Sequence, residues 1–308
     1  GVPDLLESVT GRDPLVADYM VSAGREFSCA LDDSVAGIKC FGANFYGQSS
    51  PPETLSNPSF ITTGYDSACA IDSGDVVCWG RDNKNKLTVP ALSNPTTVST
   101  GRDHSCAIDD NGLVCWGNSW QGRGRAPASL VGATHVSTNL EHTCAIADGA
   151  VTCWGNSAAG RTAAPTLSNP TAVSAGYFHS CAIDDNGVSC WGNDAYGKLV
   201  IPEGLANPTQ IAAGGSFSCA LDDNGVTCWG RNHVEQLDIP VLINPTQVTA
   251  SQNHACAMDD TGVVCWGGGS TTNGVKKRTV PALDIVLDND SDGVNDAEDS
   301  DKFDGSVQ

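Results

Sequence analysis

The stretch HSCAIDDNGVSCWG, His179 to Gly192, sets two cysteines nine residues apart about an Asp-Asp-Asn-Gly turn and ends in Cys-Trp-Gly. Variants of this phrase recur along the chain. Its first cysteines are Cys29, Cys69, Cys106, Cys144, Cys181, Cys219 and Cys256. Its second are Cys40, Cys78, Cys115, Cys153, Cys190, Cys228 and Cys265, and these return every 37 or 38 residues. All 14 cysteines are used in this way. Self-similarity at a fixed period of this length marks a solenoid, a propeller or an array.

Within one unit the sequence reads as short strands: TAVSAG (Thr171 to Gly176), HSCAI (His179 to Ile183), VSCWG (Val188 to Gly192) and KLVIP (Lys198 to Pro202). DDNG is a strong turn signal between the second and third, and proline stops the fourth. Seven such units without helical periodicity predict an all-β, seven-bladed β-propeller of four-stranded antiparallel blades. An open solenoid is the alternative, but it needs capping repeats at both ends, and the first and last units do not look like caps.

The cysteine spacing then acquires a geometric meaning. Cys181 and Cys190 are symmetric about the centre of the turn, so they face each other on adjacent strands. Opposed Cα atoms at a non-hydrogen-bonded site lie about 4.5 Å apart, within disulfide range. Cys29 and Cys40 are eleven residues apart, and a turn longer by two keeps both side chains on one face. The predicted bridges are Cys29–Cys40, Cys69–Cys78, Cys106–Cys115, Cys144–Cys153, Cys181–Cys190, Cys219–Cys228 and Cys256–Cys265, one in each blade. Zinc knuckles use closer C-x₂₋₄-C spacing. Seven bridges imply an oxidising compartment and an extracellular protein.

The formal charge of −20 repels nucleic-acid phosphates and anionic lipid. No run of about 18 apolar residues is present to insert into a membrane. No basic-then-apolar leader precedes Gly1, so a secretion signal is expected to be absent or already removed.

The stretch GYFHSCAIDDNGVSCWGNDAYGKL, Gly176 to Leu199, resembles the repeat of the regulator of chromosome condensation family: Gly, two variable residues, His-Ser, a small apolar strand, a Gly turn, Trp-Gly, then Asn-x-x-Gly-Gln-Leu. The resemblance covers roughly residues 13–283 and implies a seven-bladed propeller. It says little of function, because the family includes exchange factors, inhibitors and secreted proteins. The cysteine pairs and acidic charge set this chain apart from nuclear members, and it looks closer to secreted bacterial ones. Unit 1 carries Phe41 in place of Trp, and unit 7 replaces N-x-x-G with GGGSTTNGVKK. VPALDIV (Val280 to Val286) is expected to pair with DYMVSAG (Asp18 to Gly24) and close the ring. The expected division is an N-terminal extension (1–12), the propeller (13–283) and an acidic tail (284–308).

Loops of an up-and-down blade alternate between two faces. One face gathers the DDNG turns, with Asp32, Asp33, Asp109, Asp110, Asp184 and Asp185 among a ring of carboxylates, for which turn chemistry is a sufficient account. The other holds the variable loops, with Tyr46, Tyr65, Arg81, Arg102, Trp120, Tyr177, Tyr196, Arg231 and His233. Aromatic and Arg side chains on the loops of a rigid scaffold suit a binding face; ordinary loop decoration is the competing account for any one of them. His104, His142, His179 and His254 share a column with Phe27, Ser67 and Phe217. The broken pattern argues for hydrogen bonding to a neighbouring blade over a metal ring.

The tail DNDSDGVNDAEDSDKFDG (Asp288 to Gly305) has hard-oxygen spacing suited to Ca²⁺. Asp288, Asp290, Asp292, Val294 (through its carbonyl), Asp296 and Asp299 are the expected ligands, around Gly293 at the turn, and Asp301 and Asp304 begin a second site. The pattern resembles thrombospondin type 3 calcium repeats; a disordered acidic tail is the alternative. No nucleophile motif or phosphate loop is present. The sequence therefore points to a non-enzymatic secreted module that binds an extracellular protein or glycan. The alternative is a subunit of an extracellular filament or surface layer, binding copies of itself through terminal segments and calcium. A hydrolase or lyase sited in the channel has no feature in its favour.

Overall fold

The computed structural model describes residues 20–32, 37–128 and 130–268. They form seven three-stranded antiparallel sheets arranged as a ring. The inner strands are Met20–Ala23, Pro58–Thr63, Thr97–Thr100, Ala133–Thr138, Ala172–Ala175, Gln210–Ala213 and Gln247–Ala250. The middle strands are Phe27–Asp32, Ser67–Asp72, His104–Asp109, His142–Ala147, His179–Asp184, Phe217–Asp222 and His254–Asp259. The outer strands are Gly37–Gly42, Asp75–Gly80, Gly112–Gly117, Ala150–Gly155, Gly187–Gly192, Gly225–Gly230 and Gly262–Gly267. Each inner strand adjoins the next, and the seventh adjoins the first. The molecule is a seven-bladed propeller.

The expected fourth strand is not among the described sheets. Lys198–Pro202 is a turn followed by irregular chain. Its backbone is used elsewhere: Val200 N–H donates to Gly197 O, and Lys198 O accepts the Trp229 indole of the next blade at 3.0 Å. Pro202 has no N–H to offer a ladder. The expected pairing of Val280–Val286 with the first strand, the N-terminal extension and the acidic tail all lie outside the described residues.

Each blade contains one disulfide. Cys181 pairs directly with Cys190 in the register of the middle and outer strands, and Cys29 with Cys40. The bridged Cα atoms are 4.0–4.1 Å apart in every blade. The first cysteine of each pair is fully buried between blades. The second, on the outer strand, is partly exposed.

Two side-chain columns staple neighbouring blades. The repeated tryptophan is one: Trp191 Nε1–H donates to Arg161 O at 3.0 Å, in the loop that leaves the preceding blade, and Trp79, Trp116, Trp154, Trp229 and Trp266 do the same. The glycine that follows must have positive φ. At Gly192 φ is 116°, and an added Cβ would stand 2.8 Å from Phe178 O and His179 Cα. Cys-Trp-Gly is thus a bridge, a staple and a close approach in sequence.

The histidine column is the other staple. His104 Nε2 meets Thr143 Oγ1 at 2.7 Å, His142 meets Ser180 at 2.8 Å, His179 meets Ser218 at 2.8 Å and His254 meets Ser28 at 3.0 Å. Each bond crosses to the following blade. Where the column holds Phe27 or Phe217 the facing residue is Ala68 or Ala255, buried in the same apolar cluster. Imidazole faces hydroxyl and benzyl faces methyl, while in the second blade Ser67 Oγ meets Thr100 Oγ1 of the third at 3.4 Å.

The ring closes through the same devices. Val21 N–H donates to Gln247 Oε1 at 2.7 Å, as Val248 N–H does to Gln210 Oε1 at 3.0 Å. Val21, Ala23 and Phe41 pack on Cys256, Met258 and Val263. Among the described residues no strand is exchanged between the first and last blades.

Candidate interaction face

The antiparallel path puts the inner-to-middle loops and the loops after the outer strands on one face. Backbone bonds knit the two sets together: Ala43 N–H donates to Glu26 O, and Asn118 N–H to Asp103 O. The middle-to-outer turns and the connections ending in Asn-Pro form the opposite face, where Asp110 N–H reaches Ser93 O.

On the loop face, guanidinium groups lie against aromatic rings. Arg81 stands 4.5 Å from the Tyr46 ring centre, Arg123 5.1 Å from Trp120, Arg231 4.5 Å from Tyr196 and Arg25 4.4 Å from Tyr65. Trp120, Tyr196 and Tyr46 are exposed, at 60%, 57% and 47%. Beneath Trp120, Arg123 is buried and donates to Leu140 O at 3.2 Å. The ring therefore rests on a fixed cation and offers its other side to solvent.

Carboxylates tie these arginines together. Asp66 lies between Arg25 (3.8 Å) and Arg81 (3.3 Å). Asp103 takes Arg102 at 3.1 Å and Arg123 at 3.7 Å, and Glu141 takes Arg102 and Arg161, each at 3.6 Å. His233 is exposed, with Nδ1 3.2 Å from Gln236 Nε2. The face thus gathers Tyr46, Arg81, Arg102, Trp120, Tyr196, Arg231 and His233 at its surface.

Tyr177 is different. It is only 6% exposed, and burial raises the pKa of its hydroxyl. It reaches across from the fifth blade to Tyr65 of the second, ring centres 6.2 Å apart, and both line the central channel. Beneath them is a cavity of about 100 Å³ lined by hydroxyls, among them Ser22, Thr63, Ser99, Thr138 and Ser174. The exposed ring of that loop is its neighbour Phe178, 43% exposed and packed on Arg161 at 5.7 Å. Phe178 stands in the column where other blades carry Asp66, Asp103 and Glu141, so the fifth blade sets a ring beside the cation where they set a carboxylate.

Sequence reasoning also missed a ring of buried polar side chains. Lys86, Arg123, Arg161 and Lys198 share the column of Gln48 and Gln236, and all are almost completely buried. Their carbonyls accept the tryptophan staples, and the side chains of Lys86, Arg123 and Arg161 donate to carbonyls of the next blade, whereas Lys198 Nζ donates to Asn193 Oδ1 of its own blade at 3.2 Å. Lys86 Nζ donates to Arg102 O at 2.8 Å, and burial pushes its pKa down to about 8. The signal was the Gln column of the repeat occupied by basic residues, which reads as surface without the fold in hand.

On the opposite face the first aspartate of each pair is structural. Asp109, Asp184, Asp222 and Asp259 are buried and accept the backbone N–H of Ser93, Ser168, Ala206 and Ile243 at 2.7–2.9 Å. These bonds favour the ionised form and lower the pKa values of Asp109 and Asp184. The second aspartates accept Asn side-chain amides, as Asp110 does from Asn94 at 2.6 Å. The Asp32 side chain and Asp33 lie outside the described residues. Among the described residues no three His, Cys, Asp or Glu side chains gather as a metal cluster, and no helix is long and apolar enough to cross a membrane.

Fold and staples together define a seven-bladed propeller built from one repeated unit. Three stretches, residues 96–123, 171–198 and 209–236, match the family described as "Regulator of chromosome condensation (RCC1) repeat". The ectodomain of the Physcomitrella patens receptor kinase CR4 superposes with a TM-score of 0.68 at 23% identity, over 83% of this chain and 76% of that one. The CRINKLY WD40 ectodomain of the Arabidopsis thaliana receptor kinase ACR4 gives 0.66 at 20%, over 82% and 98%. Prp20p of Saccharomyces cerevisiae gives 0.65 at 16%, over 82% of each chain. No curated protein sequence matches. The repeat matches and these neighbours support the RCC-repeat family, and the neighbours share the fold.

Proposed function

We propose that the protein is a non-enzymatic, secreted binding module that engages a protein partner through its loop face. The observation that carries this reading is the set of exposed rings, Tyr46, Trp120 and Tyr196, each held against a guanidinium on a rigid ring of blades. Aromatic and Arg side chains dominate the energetics of protein interfaces, and fixing them beforehand lowers the entropy cost of binding. The seven intrachain disulfides point to an oxidising environment. Support also comes from Prp20p, which shares the fold and whose structure was described together with its binding to Gsp1p and histones.

The test is photo-cross-linking from the Trp120 position in culture medium, followed by affinity measurement with whatever protein is captured. Trp120→Ala with Tyr196→Ala is expected to weaken binding at least about 30-fold, since hot-spot truncations cost about 2 kcal/mol or more. Lys39→Ala, in an outer strand away from the loops, is expected to leave it unchanged. Equal binding by both variants would sink the reading.

We also propose that the acidic tail holds calcium through Asp288, Asp290, Asp292, Val294, Asp296 and Asp299, with Asp301 and Asp304 beginning a second site. The support is the spacing of the sequence alone. Calorimetric titration of the full chain with CaCl₂ is expected to show saturable binding that disappears in Asp288→Asn/Asp290→Asn/Asp292→Asn. No heat at millimolar calcium would overturn it.

A further inference from the structure

We propose that copies of this chain stack head to tail, the loop face of one propeller seated on the paired-aspartate face of the next. The proposal rests on reading the loop face as a binding surface, and it commits that surface to a second copy of the chain.

Cations are segregated to one face, which also carries carboxylates, among them Glu26, Asp66, Asp82, Asp103, Glu141 and Asp194. Every described Lys and Arg except Lys39 stands in the loops of one face, and the side chains of Arg81 and Arg102 keep 40% and 35% of their exposure. The opposite face holds the aspartate pairs and no described cation. Its outermost carboxylates, Asp110, Asp185 and Asp223, are exposed and each engaged by an Asn side chain, which leaves lone pairs for an incoming cation.

Apolar side chains are segregated too. The exposed rings Phe45, Tyr46, Trp120 and Tyr196 all belong to the loop face. The connections that end at the paired-aspartate turns expose aliphatic side chains instead, Val131, Val241 and Ile243, the last two at 91% and 49%. A cavity of about 460 Å³ opens there between the sixth and seventh blades, lined by Ile239, Pro240, Leu242 and Pro245 and by the exposed Asp223. Apolar side chains beside an exposed carboxylate match an aromatic ring beside a guanidinium, which is what Tyr196 with Arg231 presents.

Two aspartate faces cannot meet, because like charges would oppose each other. A contact between unlike faces does not close on itself and continues into a stack. The net charge of −20 opposes association over long range. At physiological ionic strength the Debye length is about 8 Å, so this repulsion is screened while contact pairs persist.

Sedimentation velocity of the full chain at physiological salt tests the proposal. The wild type is expected to show concentration-dependent growth beyond a dimer. A loop-face variant (Trp120→Ala/Tyr196→Ala) and an aspartate-face variant (Asp185→Lys/Asp223→Lys) are each expected to stay monomeric. Mixed one to one, the two variants retain one compatible pair of faces and are expected to form a discrete two-chain complex. A monomeric wild type at every concentration, a single-face variant that dimerises alone, or a mixture that stays monomeric would each overturn it. The wider reading fails separately, if loop-face substitutions leave capture of other proteins unchanged.

Discussion

Full reduction is expected to remove most of the resistance of this propeller to heat and denaturant. Each cross-link spans a separation of only 9 or 11 residues and contributes about 2–3 kcal/mol in the chain-entropy model. Seven of them together amount to about 15–20 kcal/mol, at or above the net stability of about 5–15 kcal/mol typical of a folded domain. The described blades are three-stranded and aromatics are only 6% of the chain, so blade packing is not expected to make up this difference. Reductant has access because the outer-strand cysteine of each pair is partly exposed. Circular dichroism melts with and without dithiothreitol, alongside a thiol count confirming reduction, provide the measurement. An unchanged melting temperature in the fully reduced protein would show that blade packing alone suffices. One pair removed as Cys181→Ala/Cys190→Ala is expected to cost about 2–3 kcal/mol.

Acid is expected to act next, well before the carboxylates titrate. Burial pushes His104, His142 and His179 down to about 3, from an ordinary value near 6.5. The unfolded chain takes up these protons as pH falls below about 6.5, while the folded chain refuses them until about 3. More protons are bound in the unfolded state, so stability is complete above about 6.5 and is lost as pH falls through this window. The loss is about 1.4 kcal/mol per pH unit for each histidine. Asp109 and Asp184, held below the usual carboxylate range, add their loss only at lower pH. The molecule supplies its own control. Replacing His179 and its partner together, as His179→Phe/Ser218→Ala, copies the Phe217–Ala255 pair of the following interface. Denaturant melts between pH 7 and 4.5 are expected to show a slope lower by about one proton in this variant. An identical slope would remove the histidine account.

The cysteine spacing was sufficient to read blade number and the register of middle and outer strands, because a two-residue side-chain period leaves one way to oppose the pairs. Other features depended on partners about a blade away. Tryptophan donates to a carbonyl some 30 residues earlier, and no local pattern announces that. The match of His179 with Ser218 and of Phe217 with Ala255 is written in the sequence, but it emerges only when one unit is compared with the next. In Tyr177-Phe178 the exposed ring is the second, since the first turns inward over the channel. The basic residues at Lys86, Arg123, Arg161 and Lys198 read as surface charge because their burial depends on the neighbouring blade. The fourth strand failed because Lys198–Pro202 spends its backbone on a turn and on the Trp229 indole.

The meeting of Ser28 with His254 joins residues 226 positions apart, whereas the equivalent bonds elsewhere join residues 38 or 39 apart. Bringing chain ends together costs more for longer loops, by about 1.5 kcal/mol between these two lengths. Six interfaces can therefore form one after another as the polypeptide emerges, in the order of synthesis. The seventh waits for the whole circle, and until it forms a nascent molecule is an open arc with two bare flanks.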